Sequence, residues 1–259
     1  MRYGVCIPPT KPEQVRFVKE AGLDYVEANF IDLARMDDDA FAAWEQALSE
    51  NGLKMEAGYC LVPGELPLTV GYDPKALEAY LRAGLKRGYK LGLKRVSFGS
   101  GRARRLPDGM EYAEGVRCLI RALKDVIGPV CAEYGVTVCI EPLRANECNM
   151  INSLREGAML AAAVNRDNVR LLADIYHMKP DETYDDIRFL KGVIRHGHIS
   201  QPFSDRGIKR EFPSDPDAVD YKGFVDALEY AGAGTCSVEA ACIDFPAEIV
   251  TAGRLLKNL

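Results

Sequence analysis

The chain has 259 residues, 47% of them hydrophobic and 27% charged, enough for one large domain or two small ones. A formal charge of -5 with no long run of one sign gives no reason to expect nucleic acid as a partner. No apolar run approaches the ~18 residues of a membrane span and no secretory signal opens the chain, so no membrane association and a cytoplasmic location are expected.

The first strand is expected over residues 3–8, ended by Pro8-Pro9, and a helix over 12–22 stops at Gly22. A second strand (25–30) precedes an amphipathic helix (37–51) opened by three aspartates, which suit a helix N-terminus. Phe41 and Trp44 have core spacing on that helix. The third strand (53–62) breaks at Pro63-Gly64, and Asp73-Pro74 starts a helix to about Leu91. The fourth strand (95–99) leads into the loop Gly99-Ser100-Gly101-Arg102-Ala103-Arg104-Arg105. That loop reads as a solvated basic segment, with an anion site as the alternative. A long helix (109–134) carries Pro129 near its last turns. Strand five (137–143), a helix (153–164), strand six (169–174) and a helix (184–192) follow. Strand seven lies within 193–201, a helix (221–230) stops at the Gly-rich 231–234, strand eight is 235–240, and a helix (247–257) closes the pattern.

Eight strand–helix units of about 32 residues each force parallel pairing through crossover helices and point to an α/β fold, a single (β/α)8 TIM barrel over residues 1–259. An open doubly wound sheet is the alternative, but no Gly-rich dinucleotide turn follows the first strand. The eight cysteines form no Cys-x-x-Cys pair; most lie in apolar runs or helical patterns and read as reduced core residues.

In a barrel, chemistry sits at the C-terminal strand ends. Strand five ends in Ile140-Glu141-Pro142 and strand six in Asp174, with His177 three positions on. At the two-residue strand period those two cannot share a face, so the strand ends near Asp174 and His177 rides on the turn beyond. Strand seven carries His196-Gly197-His198, of which one imidazole is expected to face the lumen, with His196 the candidate for a packed core residue. Strand eight ends in Val238-Glu239-Ala240. Glu141, Asp174, His198 and Glu239 each place an ionisable group in an apolar setting, where an unpaired charge is expensive. A shared divalent cation would neutralise them; core ion pairs are the competing reading. Three carboxylates and one imidazole suit Mn²⁺ best, with Mg²⁺, Co²⁺ and Zn²⁺ admissible. Glu27 is read either as reaching the barrel mouth or as a surface or capping residue. Tyr59, Leu61 and Phe98 are expected to wall an apolar side of the pocket.

These residues, with Glu147-Cys148-Asn149, Asp174-Ile175-Tyr176-His177-Met178 and Ser237-Val238-Glu239-Ala240, resemble the sugar phosphate isomerase/epimerase superfamily of xylose isomerase-like TIM barrels. The D-tagatose 3-epimerase/D-psicose epimerase, hydroxypyruvate isomerase and inosose dehydratase branches are the most similar. The resemblance implies that Glu141, Asp174, His198 and Glu239 hold the metal and that Glu141 and Glu239 are also the acid/base pair. It further implies that His177 and Glu147 hold substrate hydroxyls. Arg210, in Arg210-Glu211-Phe212-Pro213, resembles the family's Arg-x-x-Pro arginine, and Arg206 competes for that role. After Glu-Pro-Leu the family carries Asn-Arg-aromatic, whereas this chain has Arg144-Ala145-Asn146.

The implied reaction is isomerisation or epimerisation of a small ketose, ketose phosphate or related hydroxy-carbonyl compound. Glutamate-mediated proton transfer would pass through a metal-stabilised enediolate. Alternatives are a metal-dependent dehydratase of an inosose-like polyol ketone and a non-catalytic sugar-binding barrel. An endonuclease IV-like hydrolase needs more histidines than the three present. The expected partner is a sugar or sugar phosphate, and assembly as a homo-oligomer is compatible with the chain. Substrate selectivity is assigned to the loops 99–109 and 202–221.

Overall fold

A computed structural model describes residues 1–202 and 206–259. Eight parallel strands, β1 (Arg2–Ile7), β2 (Tyr25–Asn29), β3 (Met55–Tyr59), β4 (Arg95–Phe98), β5 (Thr137–Ile140), β6 (Val169–Asp174), β7 (Ile194–Ile199) and β8 (Thr235–Val238), neighbour one another in chain order. β8 returns to pair with β1, Gly4 opposite Ser237 and Val5 opposite Val238, which closes the sheet into the TIM barrel and eliminates the open-sheet alternative. Covered outside by helices and filled inside by side chains, the strands bury both faces, hence their near-continuous apolar character. Phe41 and Trp44 pack in that helical layer, 7% and 0% exposed.

Local chemistry explains most boundaries. Asp73 caps the helix Pro74–Leu91 through its side chain, Pro74 occupies the first turn, and Gly92 ends it in the left-handed conformation (φ 95°). Ser153, Asp220 and Asp244 cap Leu154–Val164, Tyr221–Ala231 and Phe245–Lys257 in the same way. β3 is shorter than expected because Cys60 adopts φ 57° and leaves the strand. A helix the periodicity does not reveal, Phe30–Arg35, follows β2, with the Asn29 side chain accepting from the Ile31 and Asp32 amides. The expected helix 109–134 begins at Tyr112 and widens over Leu123–Ile127 into a π-turn before continuing as Gly128–Glu133. Pro129 accounts for the widening: its ring would meet the carbonyl four residues back, and one extra residue in the turn relieves that clash.

No helix among the described residues is long and apolar enough to cross a membrane. All eight cysteines are free thiols; Cys131, Cys139, Cys148 and Cys236 are buried, whereas Cys242 is exposed. The loop 202–221, expected to carry selectivity, includes residues 203–205, which lie outside the described residues.

Candidate metal centre and active site

Four consecutive strands deliver one side chain each to the same point. Glu141 is one residue past β5, Asp174 is the last residue of β6, His198 lies in β7, and Glu239 is one residue past β8. Glu141, Asp174 and His198 are buried, while the Glu239 side chain keeps 22% exposure toward the barrel mouth. His198 Nδ1 lies 2.6 Å from Glu239 Oε2, 3.1 Å from Glu141 Oε1 and 3.9 Å from Asp174 Oδ2. The four donor atoms all fall within 4.8 Å of one another. Asp174 Oδ1 is occupied by the Tyr176 amide at 2.8 Å, which leaves Oδ2 for the cluster. Three carboxylates and an imidazole this close, each offering one donor atom to the same point, fit a divalent cation.

The other imidazole nitrogen explains the orientation of His198. Its Nε2 donates to Glu27 Oε1 at 3.1 Å, and Glu27 is fully buried. A ligating histidine is ordinarily fixed in this way by a carboxylate behind it. Glu27 is therefore neither a surface residue nor a cap; it lies inside the barrel beneath the cluster. His196 also reaches Glu27, Nε2 to Oε2 at 2.8 Å, and its Nδ1 meets Thr235 Oγ1 at 2.9 Å. The expectation that only one of the two strand-seven histidines faces the lumen is wrong. Residues two apart on a strand share a face, so both imidazoles point inward, ring centres 5.3 Å apart. Gly197 takes the outward position between them; a Cβ there would lie 2.4 Å from Leu228 Cδ1 on the covering helix.

The cluster holds more negative charge than it neutralises. Burial raises the Glu239 carboxyl, but the Arg210 guanidinium and His198 outweigh it and hold Glu239 at about 2. Burial and Glu239 push Glu141 up, and His198 outweighs them and leaves it below the usual carboxylate range. Asp174 goes the other way: burial, reinforced by Glu141 and Glu239, lifts it to about 7 against Arg210 and His198. That proton belongs to the carboxylate cluster as a whole. Burial disfavours the charged form of His198, yet Glu239, Glu27 and Glu141 together raise its pKa well above the ordinary value.

Arg210, not Arg206, reaches the site. Its Nη2 donates to Glu239 Oε2 at 2.6 Å and to Asp174 Oδ2, and the residue adopts φ 62° to do so. Arg206 turns away to Glu211 and Glu248. A cavity of about 480 Å³ opens beside the cluster, lined by Glu141, Glu239, Arg210, His177 and Glu147 together with Tyr59, Cys60 and residues 99–102. His177, on the turn after β6, places Nε2 3.7 Å from Asp174 Oδ2. Glu147 lies at the exposed rim. Tyr59 lines the cavity as expected, whereas Leu61 and Phe98 are fully buried and pack behind it.

The basic loop is not simply solvated. Arg104 is fully buried and donates to the carbonyls of Phe98 (2.8 Å), Glu141 (2.9 Å) and Ile151 (3.5 Å), tying the ends of β4 and β5 together. Arg105 holds the Glu147 carbonyl at 2.6 Å, and Arg102 lies at the cavity mouth. The sequence leaves Glu27 between the barrel mouth and a surface or capping role and gives Arg104 no role of its own. Glu27 had a readable signal, since it shares strand parity with the inward positions of β2; Arg104 had none.

Residues 15–259 match the family described as the xylose isomerase-like TIM barrel. A D-psicose 3-epimerase of Agrobacterium fabrum (strain C58 / ATCC 33970) is 28% identical over 93 residues, a match spanning 35% of this chain and 30% of that relative. Among solved structures, the 3-keto-D-glucoside 4-epimerase YcjR of E. coli superposes with a TM-score of 0.79 at 18% identity, covering 100% of both chains. The IOLI protein, solved with a zinc atom, gives a TM-score of 0.77 at 18% identity over 100% of this chain and 97% of its own. At such identities the structural likenesses speak to the fold.

Proposed function

Because the chain belongs to the xylose isomerase-like TIM barrel family, we propose that it is a divalent-metal-dependent isomerase or epimerase of a small ketose, ketose phosphate or related hydroxy-carbonyl compound. The observation that carries this reading is the convergence of Glu141, Asp174, His198 and Glu239 within 4.8 Å beside an open cavity, which the two glutamates line. These four residues hold the cation, with Mn²⁺ the best match to an oxygen-rich set with one nitrogen. When bound it supplies Lewis acidity toward a carbonyl and its neighbouring hydroxyl.

The chain's own residues handle the protons. One of Glu141 and Glu239 takes the proton from the carbon beside the carbonyl, and the other stands across the cluster to return one. Return to the opposite face of the same carbon gives the epimer; return to the adjacent carbon interconverts ketose and aldose. His177 Nε2–H and the Arg210 guanidinium donate to the oxygens on which negative charge develops. Glu147 receives a substrate hydroxyl at the rim. Glu239, held at about 2, and Glu141, held below the usual carboxylate range, both stand deprotonated at neutral pH, so whichever returns the proton first takes one from solvent.

The test is solvent proton exchange. Ketoses, ketose phosphates, hydroxypyruvate and an inosose are incubated with the Mn²⁺-loaded protein in D₂O, and deuterium incorporation is followed by NMR. Incorporation into at least one compound is expected, abolished by EDTA and in Glu141→Gln and Glu239→Gln. Full exchange in either variant, or none with any compound, rejects the two-glutamate scheme.

A further inference from the structure

Arg144 stands three residues after Glu141, and the structure gives it contacts that the reaction above does not use. We infer that Arg144 is a positioning residue that holds His177 as a neutral Nε2–H donor facing the carboxylate cluster. The role assigned to the donor rests on the proposed function; the hold itself does not.

Three contacts carry the inference. The Arg144 backbone N–H donates to His177 Nδ1 at 3.3 Å. Its Nε donates to the Tyr176 carbonyl at 2.6 Å. Its guanidinium lies 3.7 Å from the centre of the Tyr176 ring. A backbone amide can only donate, so Nδ1 must accept, and the single proton of a neutral imidazole then sits on Nε2. That atom faces Asp174 Oδ2 at 3.7 Å, at the cavity wall.

The clamp acts on more than one group because Tyr176 is a junction. Its amide fixes Asp174 Oδ1 at 2.8 Å, its ring meets His177 edge-on at 5.1 Å, and the Arg210 guanidinium lies 5.0 Å from it. Arg144 thus braces one turn that presents Asp174 Oδ2, His177 Nε2 and Arg210 to the same space. Both the planar guanidinium and its Nε–H are in use, a combination lysine cannot reproduce.

The experiment reads the tautomer directly. The chain contains only three histidines, so a long-range ¹H–¹⁵N spectrum of ¹⁵N-histidine-labelled protein carries three imidazoles. In the wild type His177 is expected as the Nε2–H tautomer. In Arg144→Met its signals should move toward averaged tautomer shifts or broaden while those of His196 hold. The kcat for the ketose turned over best should fall about tenfold with KM within about twofold, the mark of a donor misplaced in the transition state. Arg144→Lys should not rescue either reading. A wild-type His177 protonated on Nδ1, or an unchanged His177 in a folded Arg144→Met protein, overturns the inference. Should Arg144→Met not fold, Tyr176→Leu removes the ring on which the guanidinium rests and should move the same resonances; unchanged resonances there overturn it equally. A protein that turns over no ketose would defeat the proposed function, and the imidazole spectrum would still decide the role of Arg144.

Discussion

Replacing Glu27 with glutamine is the sharpest probe of the centre, because Glu27 touches no substrate and lies beneath the cluster. As a carboxylate it accepts from His198 Nε2 at 3.1 Å and His196 Nε2 at 2.8 Å, one oxygen to each. Burial opposes its charge, yet the two imidazoles outweigh that and hold it well below the usual carboxylate range. Glutamine keeps the shape but offers one acceptor oxygen to two N–H donors. Either His198 loses its support or His196 must turn its tautomer against Thr235. A buried hydrogen bond to a charged group contributes roughly 1.5–3 kcal/mol. Loss of such support behind a ligating histidine weakens metal binding by about 10–100-fold, or roughly 1.4–2.8 kcal/mol. The assay is Mn²⁺ titration of the metal-free protein by calorimetry, with circular dichroism to establish that Glu27→Gln is folded. Unchanged affinity in a folded variant would refute the argument that Glu27 orients His198.

Two further substitutions separate structural from site arginines. Arg104→Met should lower the free energy of unfolding by roughly 3–5 kcal/mol in a denaturant titration, since it takes the guanidinium donor from the buried Glu141 carbonyl and leaves the Phe98 carbonyl with the Glu141 amide alone; a loss below about 1 kcal/mol would show that the loop is not the tie between β4 and β5. Arg206→Ala should leave Mn²⁺ affinity within about twofold, because its guanidinium pairs with Glu211 and Glu248 rather than with the centre; a large loss of affinity would mean that Arg206, not Arg210, serves the centre.

The sequence was most legible where one physical rule acted alone. β6 runs over the expected residues because an apolar run ends in a carboxylate, and the three-residue offset correctly separates Asp174 on the strand from His177 on the turn. The four converging groups are legible as the strand ends that carry an ionisable side chain inside apolar surroundings. Legibility failed where a rule was misapplied or where the partner was remote. His196 and His198 are two apart and therefore share a face, against the expectation of a single inward imidazole. Glu27 follows the same parity, but an acid near a strand end reads equally well as a cap until its partners 169 and 171 positions away are known. Arg104 looks like its neighbours Arg102 and Arg105, and only the packed loop reveals that it donates to the strand-end carbonyls. Phe30–Arg35 escaped notice because a six-residue helix shows too little periodicity, although the cap at Asn29 was there to be read.

Charge balance decides how the centre takes up a cation. Four carboxylates, the buried Glu27, Glu141 and Asp174 and the partly exposed Glu239, face the fixed charge of Arg210 and the imidazoles of His196 and His198. Burial keeps His196 below its ordinary pKa and hence neutral, so Arg210 and a protonated His198 offset only two of the four negatives. The elevation of Asp174 to about 7 follows: near neutral pH a proton resides on the carboxylate cluster to reduce the excess. A ligating imidazole and a ligating carboxylate must both be deprotonated. A divalent cation therefore exchanges for these protons and leaves the buried charge nearly constant, which is what makes its entry affordable without rearrangement. The sign follows from the direction of both shifts. Groups raised above their ordinary values hold protons in the cation-free site at lower pH, so affinity rises as pH rises and falls on acidification through about 7. Calorimetry of Mn²⁺ binding at pH ~6.5 in buffers of different ionisation enthalpy should return between about one and two protons released per ion. Release of none, with affinity flat between pH ~6 and ~8, would mean that the four groups are already deprotonated and that Arg210 alone balances them.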